Sequence, residues 1–303
     1  MNNLPDTETG TSSTPAAEVH ADEDLVRALL RAQAPDFASL PIELVETGWD
    51  NYTFRLGADH AVRLPRRTVG AMLIEREQEW LPMLAPQLPL PVPLPVHIGA
   101  PGEGFLWKWS VLPWLSGEAA DIAEPDAQQA EPLAAFMRAL HTPAPAEAPP
   151  NPVRGVPLMT RAEGVEERLT RLAGKTDHVT DEIWRIWRKA LDAPLAQDRM
   201  WLHGDFHARN VLVKDGAISG IIDWGDITAG DVATDLASIW MLLGDAGARA
   251  RARTAYGADE ATWARAKGWA VLFAAILLDT GLTDTPRHAV MGRRTFERLA
   301  GES

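Results

Sequence analysis

Two hydrophobic rhythms alternate along this chain, and their order predicts its architecture. Behind an opening stretch without periodicity, Leu25, Val26, Leu29 and Leu30 fall at helical spacing after an acidic cap at Asp24, so a short helix opens the folded part. From Leu40 to Pro65 the period shortens. The runs IELVETG, NYTFRLG and HAVRLP, separated by Gly48-Trp49-Asp50 and Gly57-Ala58-Asp59, read as three strands with tight turns, Gly48 taking a positive φ. Met72, Leu73, Trp80, Leu81 and Leu84 then share one face of a helix that starts at Val69 and ends near Pro82. The prolines of PQLPLPVPLPVHIG forbid helix and lead into extended chain, and Phe105 to Leu115 reads as a strand ending at Pro113.

From Asp126 the pattern is helical: AQQAEPLAAFMRALH, a Pro/Ala linker from Thr142 to Pro157, then GVEERLTRLAG and DEIWRIWRKALDA. Short strands return between Met200 and Asp226, where Lys214-Asp215-Gly216 sets an Asp-Gly pair between two apolar runs, a strong hairpin signal. Helices follow over VATDLASIWMLLG, Ala248 to Tyr256, ATWARAKGWAVLFAAILLDTG, and Pro286 to Ala300. No segment repeats another. The predicted class is α+β: a small antiparallel sheet carrying one helix, followed by a larger, mostly helical part. The expected divisions are a disordered tail over 1–23, one lobe over 24–113 and a second over 114–303.

At 303 residues, 46% hydrophobic and 23% charged, the chain can bury a sizeable core. Its formal charge of -13 argues against a nucleic-acid partner, although Asp6, Glu8, Glu18, Asp22, Glu23 and Asp24 concentrate much of it at the start. Cysteine is absent, which excludes disulfides, thiol nucleophiles and thiolate metal sites. The first residues lack the basic and apolar regions of a secretory signal, and the longest strongly apolar run, Trp269 to Leu278, is about half a bilayer span. A cytoplasmic protein without membrane partners is expected; oligomeric state is left open.

The most informative stretch is Trp201 to Val213 (WLHGDFHARNVLV), followed by Gly220 to Asp226 (GIIDWGD). Asp205 and Asn210 stand five apart on a loop, and the hairpin returns the chain at Asp223, so three oxygen-bearing side chains can converge. Asn and Asp suit a hard cation such as Mg²⁺. In phosphoryl transfer such a metal neutralises phosphate charge while one carboxylate accepts the proton of the attacking hydroxyl. The spacing D-x-x-x-x-N, then a strand ending D-x-G, is the one that the kinase catalytic and metal-binding loops require.

H-G-D-x-x-x-x-N with I-I-D-x-G-D resembles the aminoglycoside phosphotransferase family, whose bilobal fold is similar to that of protein kinases. The resemblance runs from about Leu40 to Leu243 and implies ATP- and Mg²⁺-dependent transfer of the γ-phosphate to a hydroxyl of a small molecule. It makes Asp205 the catalytic base, Asn210 and Asp223 the metal ligands, and His203 a structural member of the loop. Ala229 to Ala237 (AGDVATDLA) is similar to a family segment in which Val232 replaces a proline. Asp231 would brace the catalytic loop, with Asp235 in the same scaffolding role. In the N-terminal lobe, Gly48 and Asn51 lie where the phosphate-covering loop would be, though this loop is poor in glycine. Arg63 occupies the place of the phosphate-binding lysine, no lysine preceding Lys108. Arginine grips phosphate bidentately but with different geometry. Glu77 would partner Arg63, with Glu75 as the fallback. Pro113, Trp114 and Leu115 would meet the adenine edge.

Other readings stay open. Asp and Asn are common loop caps, and a strand arginine or helix glutamate is often merely solvated. Trp184, Trp187, Trp240 and Trp269 read as core, Trp224 as core or site, and His141 as a packed helix-end histidine. Asp279, Asp284, Glu163, Glu166 and Glu167 could wall a site for a polycationic acceptor, or simply face water. His203, Asp205 and His207 alternate like the ligands of a metal-dependent hydrolase, with Asp223 and Asp226 nearby. A nucleotide-binding protein without turnover is the third class, suggested by the missing lysine.

Overall fold

The computed structural model describes residues 16–302. Helix α1 (Glu23–Gln33) is capped by Asp22, whose carboxylate accepts the Leu25 N–H, so the cap falls two residues ahead of the expected Asp24. Its buried Val26, Leu29 and Leu30 pack on a sheet of β1 (Ile42–Thr47), β2 (Asn51–Leu56), β3 (His60–Pro65), β4 (His97–Gly99) and β5 (Trp109–Pro113). The order is β1-β2-β3-β5-β4, every neighbour antiparallel. Residues 1–15 of the expected tail lie outside the described residues. From Ala16 to Asp22 the chain runs along the lobe: Ala21 is buried, the Glu18 N–H donates to Arg66 O, and the Glu18 carboxylate accepts both the N–H and hydroxyl of Thr68.

Helix α2 (Thr68–Leu84) continues through Pro82 rather than ending there. Proline removes one donor in the last turn only, and the buried Leu81 and Leu84 hold the helix against the second lobe. The strand expected from Phe105 starts only at Trp109, because Glu103 and Gly104 take positive φ and Gly102 bridges back to Phe105.

Past Pro113 the chain enters the larger lobe: β6 (Glu118–Ala119), α3 (Ala130–Leu140), α4 (Ala162–Ala173), α5 (Asp181–Asp192), β7 (Met200–Leu202), β8 (Val211–Lys214), β9 (Ala217–Ile221), β10 (Thr228–Gly230), α6 (Ala233–Leu236), α7 (Ser238–Leu242), α8 (Ala246–Tyr256), α9 (Glu260–Thr283) and α10 (Pro286–Ala300). β8 and β9 form the expected hairpin, with Asp215 and Gly216 both at positive φ. The single helix expected over VATDLASIWMLLG is two short ones, α6 and α7, meeting at Ala237. Trp187, Trp240 and Trp269 are fully buried, as their helical spacing predicts.

Helix α9 is the axis of this lobe. It is long and apolar enough to cross a bilayer by length and composition, but 67% of its most apolar window is buried inside the protein. It touches α5, α6, α4 and α10. α10 lies so close that a Cβ on Gly292 would stand 2.6 Å from Ala274 O and 2.8 Å from Leu278 Cβ. Gly292→Leu should therefore lower the unfolding free energy by about 1–3 kcal/mol through overpacking, read from the midpoint of urea denaturation.

Candidate active site

The loop over 203–210 is built around a buried carboxylate. Asp235 of α6 accepts the His203 N–H at 2.7 Å and the Gly204 N–H at 2.9 Å, fixing the backbone directly after β7. Gly204 has φ +87, and a Cβ there would stand 2.4 Å from Asp226 O, so only glycine fits. The His203 ring is wholly committed: Nε2 donates to Ile222 O at 3.0 Å and Nδ1 accepts the Asp205 N–H at 3.3 Å. It stacks on Phe206 and leans on Trp224. His141 also reaches Asp235 at 3.3 Å and meets the Tyr256 hydroxyl at 2.8 Å, so its partners are polar as well as packed. Burial and the nearby Asp235 push the Tyr256 hydroxyl pKa upward, keeping it protonated.

Bracing of the loop thus belongs to Asp235. Asp231, expected to share it, instead pairs with Arg265 of α9 at 2.6 Å and accepts the Ala233 N–H at the start of α6.

Asp205 projects from this loop into a ring of donors. Its Oδ2 lies 3.3 Å from both the Asn210 amide nitrogen and His207 Nε2, and its Oδ1 lies 3.3 Å from Arg154 Nη2. Burial alone would raise its pKa, but the His207 imidazolium, then Arg154, overcome that and hold the carboxyl far below the usual carboxylate range. Burial works against the charge on His207 too; Asp205 prevails and raises the imidazole pKa. The Asn210 amide nitrogen donates to Asp205 O at 2.9 Å. Asn210 O accepts the Ile222 N–H, and the next residue, Asp223, takes a left-handed conformation at φ 61. The Asp223 side chain is 53% exposed, its nearest cation being Arg63 at 3.8 Å. Asn210 Oδ1 and the Asp223 carboxylate are oxygen donors of the kind a hard divalent cation takes. Among the described residues no three His, Asp or Glu side chains gather as a metal cluster.

Across the cleft, Arg63 Nη2 meets Glu77 Oε2 at 2.8 Å, both side chains buried. The same oxygen accepts the Trp224 N–H at 3.0 Å. Glu77 is therefore the partner of Arg63; Glu75 is exposed and faces Lys108 at 4.0 Å. Burial raises the Glu77 pKa more than Arg63 lowers it. Trp224 is fully buried against Phe136 and His203, a core residue.

In the β1–β2 turn the Gly48 N–H donates to Asn51 O, and Gly48 O accepts from Arg66. Gly48 does not take a positive φ, because this turn is shaped by Arg66 and Arg67 from the start of α2, the latter 3.6 Å from Asp50. Asn51 Oδ1 is buried without a hydrogen-bond partner. Pro113 ends β5, and the Trp114 N–H is already spent on Asp59 O at 2.8 Å, its ring lying under the Arg55 guanidinium. That leaves the Pro113 carbonyl and the Leu115 N–H at the crossing between lobes.

Sequence reasoning missed a second set. Asn151 and Arg154 come from the stretch read as a linker, Asn151 donating to Asp226 Oδ1 at 2.8 Å. Burial, then the neighbouring Asp205, raise the Asp226 pKa. Asp226 stood in a quoted motif, but nothing in the spacing links it to residue 151.

Comparison with known proteins agrees with this geometry. A family model described as the phosphotransferase enzyme family matches residues 41–269. An aminoglycoside 3'-phosphotransferase from Escherichia coli is 34% identical over 121 residues, 37% of this chain and 42% of that protein. One from Salmonella typhimurium is 29% identical over 117 residues. The chain thus matches less than half the length of these curated relatives. The GDP complex of aminoglycoside 2'-phosphotransferase-IIIa superposes with a TM-score of 0.69 at 17% identity, covering 93% of this chain and all of that one. A macrolide 2'-phosphotransferase from Brachybacterium faecium gives 0.58 at 23%, covering 84% and 91%. At such identities the likeness carries the fold, the bilobal kinase-like one.

Asp235→Ala should strand the two N–H groups it accepts and lower stability by about 3 kcal/mol. Denaturant unfolding measures the loss, and amide exchange at His203 and Gly204 should rise ahead of the rest of the lobe.

Proposed function

Because the chain belongs to the phosphotransferase enzyme family, we propose that it moves the γ-phosphate of ATP to a hydroxyl of a small molecule. The supporting observation is one connected path. Arg63 binds Glu77, Glu77 binds the Trp224 N–H, Ile222 binds Asn210 O, and the Asn210 amide binds Asp205. A cation suited to phosphate and a carboxylate suited to a hydroxyl are thereby held in fixed relation across the cleft. Residues 24–113 serve as the nucleotide-binding lobe and 114–303 as the catalytic and acceptor lobe.

Asp205 orients the acceptor hydroxyl and takes its proton as the oxygen–phosphorus bond forms. The bond from γ-phosphorus to the bridging oxygen breaks, its electron pair leaving on ADP. Because His207 and Arg154 favour the charged form of Asp205, the carboxylate is kept ready to accept the hydroxyl's hydrogen bond and orient it, as suits a loose phosphoryl transition state. Mg²⁺, when bound through Asn210 and Asp223, would neutralise charge on the phosphate oxygens. At the crossing, a carbonyl on Pro113 followed by a free N–H on Leu115 matches the amino donor and ring-nitrogen acceptor of adenine. The Trp114 N–H, committed to Asp59, does not compete. This pattern favours ATP over GTP.

The hydrolase alternative loses support because neither nitrogen of His203 is available without breaking a buried hydrogen bond. Binding without turnover loses part of its motive, since Arg63 has the buried glutamate partner.

Acceptor-dependent ADP release tests the proposal. Asp205→Ala should cut the rate by about 10²–10⁴-fold while nucleotide affinity stays nearly constant; unchanged turnover would remove Asp205 from this role. Asp223→Ala should shift the Mg²⁺ titration as well as the rate, an identical titration refuting it. Arg63→Ala should raise the apparent ATP constant, an unaltered one meaning that the phosphates are held elsewhere.

A further inference from the structure

The segment from Pro149 to Gly155 is a strap fastened along the 226–234 stretch. Thr228 Oγ1 donates to Pro149 O at 2.7 Å, and Asn151 donates to Asp226 at 2.8 Å while its own Oδ1 accepts the N–H groups of Val153 and Arg154. Gly155 donates to Thr234 Oγ1 at 3.2 Å and accepts the Asp231 N–H at 3.0 Å. Between these fixed points the Arg154 guanidinium lies over the Phe273 ring, 4.9 Å from its centroid, with Nη2 3.3 Å from Asp205 Oδ1. Oδ2 of Asp205 serves Asn210 and His207 and Oδ1 faces Arg154, so a hydroxyl that reaches this carboxylate comes within range of the Arg154 guanidinium. Further along the loop, Arg209 stands beside His288 Nε2 at 2.9 Å and is itself paired with Glu46 at 2.7 Å.

Of the carboxylates that might have walled a site for a polycation, two already have partners, while Glu163, Glu167 and Asp284 stay exposed. Asp279 is paired with both Arg168 and Arg171, and Glu166 accepts the Trp187 indole N–H at 3.0 Å. We propose that Arg154 selects the acceptor by charge, favouring hydroxyl compounds that carry a carboxylate or phosphate near the reacting hydroxyl over polyamines. This inference rests on the phosphotransfer reading and narrows its acceptor class. Arg154 acts here as a specificity-determining residue. A like charge on the acceptor would be pushed from the oxygen it must reach, and an opposite charge would be held beside it.

A matched set of acceptors tests it with full-length protein, ATP and Mg²⁺: gluconate and sorbitol, which share a hydroxylated carbon chain and differ by a carboxylate, and kanamycin as the polycation. Both kcat/KM and equilibrium binding to the ADP-saturated protein are measured. Gluconate should exceed sorbitol by about tenfold or more, with kanamycin last. R154E should invert that order, R154Q should flatten it mainly through KM, and R154K should retain it, with ADP affinity equal in all four proteins as the control for folding. Transfer in the same acceptor order in wild type and R154E, or kanamycin as the best acceptor, overturns the inference and leaves phosphotransfer standing. Binding that follows charge with no ADP released from any acceptor sinks the phosphotransfer reading but supports the role of Arg154. Binding without charge order, whatever the turnover, overturns the inference.

Discussion

A carboxylate removed from water must be compensated or it will take up a proton, and the neighbourhood of Asp205 is the consequence of keeping it ionised. Three donors from three places meet it. Asn210 arrives by one turn of 3-10 helix, His207 from the loop itself, and Arg154 from a strap some fifty residues earlier. Each donor must itself be held, which explains why so much surrounding backbone is pinned. Asp235 grips the loop and Asn151 grips the strap. The geometry of the Asp205 carboxylate is thus set in part by groups that do not themselves touch it.

The two lobes communicate through a second buried charge. Glu77 accepts from Arg63 in one lobe and from the Trp224 backbone in the other, with its second oxygen left without a hydrogen bond. A buried ion pair of this kind is poor evidence for stability, since desolvation costs about as much as the attraction returns. Its value lies in registry: the strand bearing the cation and the segment bearing Asp223 cannot slide past each other without exposing Glu77 as an unpaired charge. Gly225 supports the same contact, since a Cβ there would meet Leu73 of α2 at 2.9 Å.

Much of this was readable in the sequence, because local physics wrote it. The alternation over Ile42–Pro65 and the Asp-Gly pair at 215–216 each encode a hairpin within a few residues, and the D-x-x-x-x-N spacing encodes a loop that must reach one site. What escaped was non-local. The stretch around Asn151 and Arg154 has neither period nor motif, and its importance arises only when the chain folds it against residues 226–234. From sequence, Asp231 and Asp235 share one role for the same reason. Both sit in one short acidic segment, and only packing decides that one faces α9 and the other the loop after β7. The cap of α1 moved from Asp24 to Asp22 because either fits the local pattern and tertiary burial of Ala21 favours the earlier start.

Net charge illustrates the limit of composition most plainly. A formal charge of -13 argues against a nucleic-acid partner but, concentrated in part at the start of the chain, says nothing of the charge at any one site. Around Asp205 the balance is local: Asp205 has Arg154 and His207, Asp223 shares Arg63 with Glu77, Asp50 has Arg67, Asp226 accepts from the neutral Asn151, and in the helical lobe Asp279 has Arg168 and Arg171. Global charge governs solubility and long-range attraction, which salt screens within about 10 Å. Charge at a reacting hydroxyl is set by the nearest fixed groups. The field at Asp205 is therefore made by Arg154, His207 and the neighbouring Asp226, and the acidity of the chain as a whole says little about it.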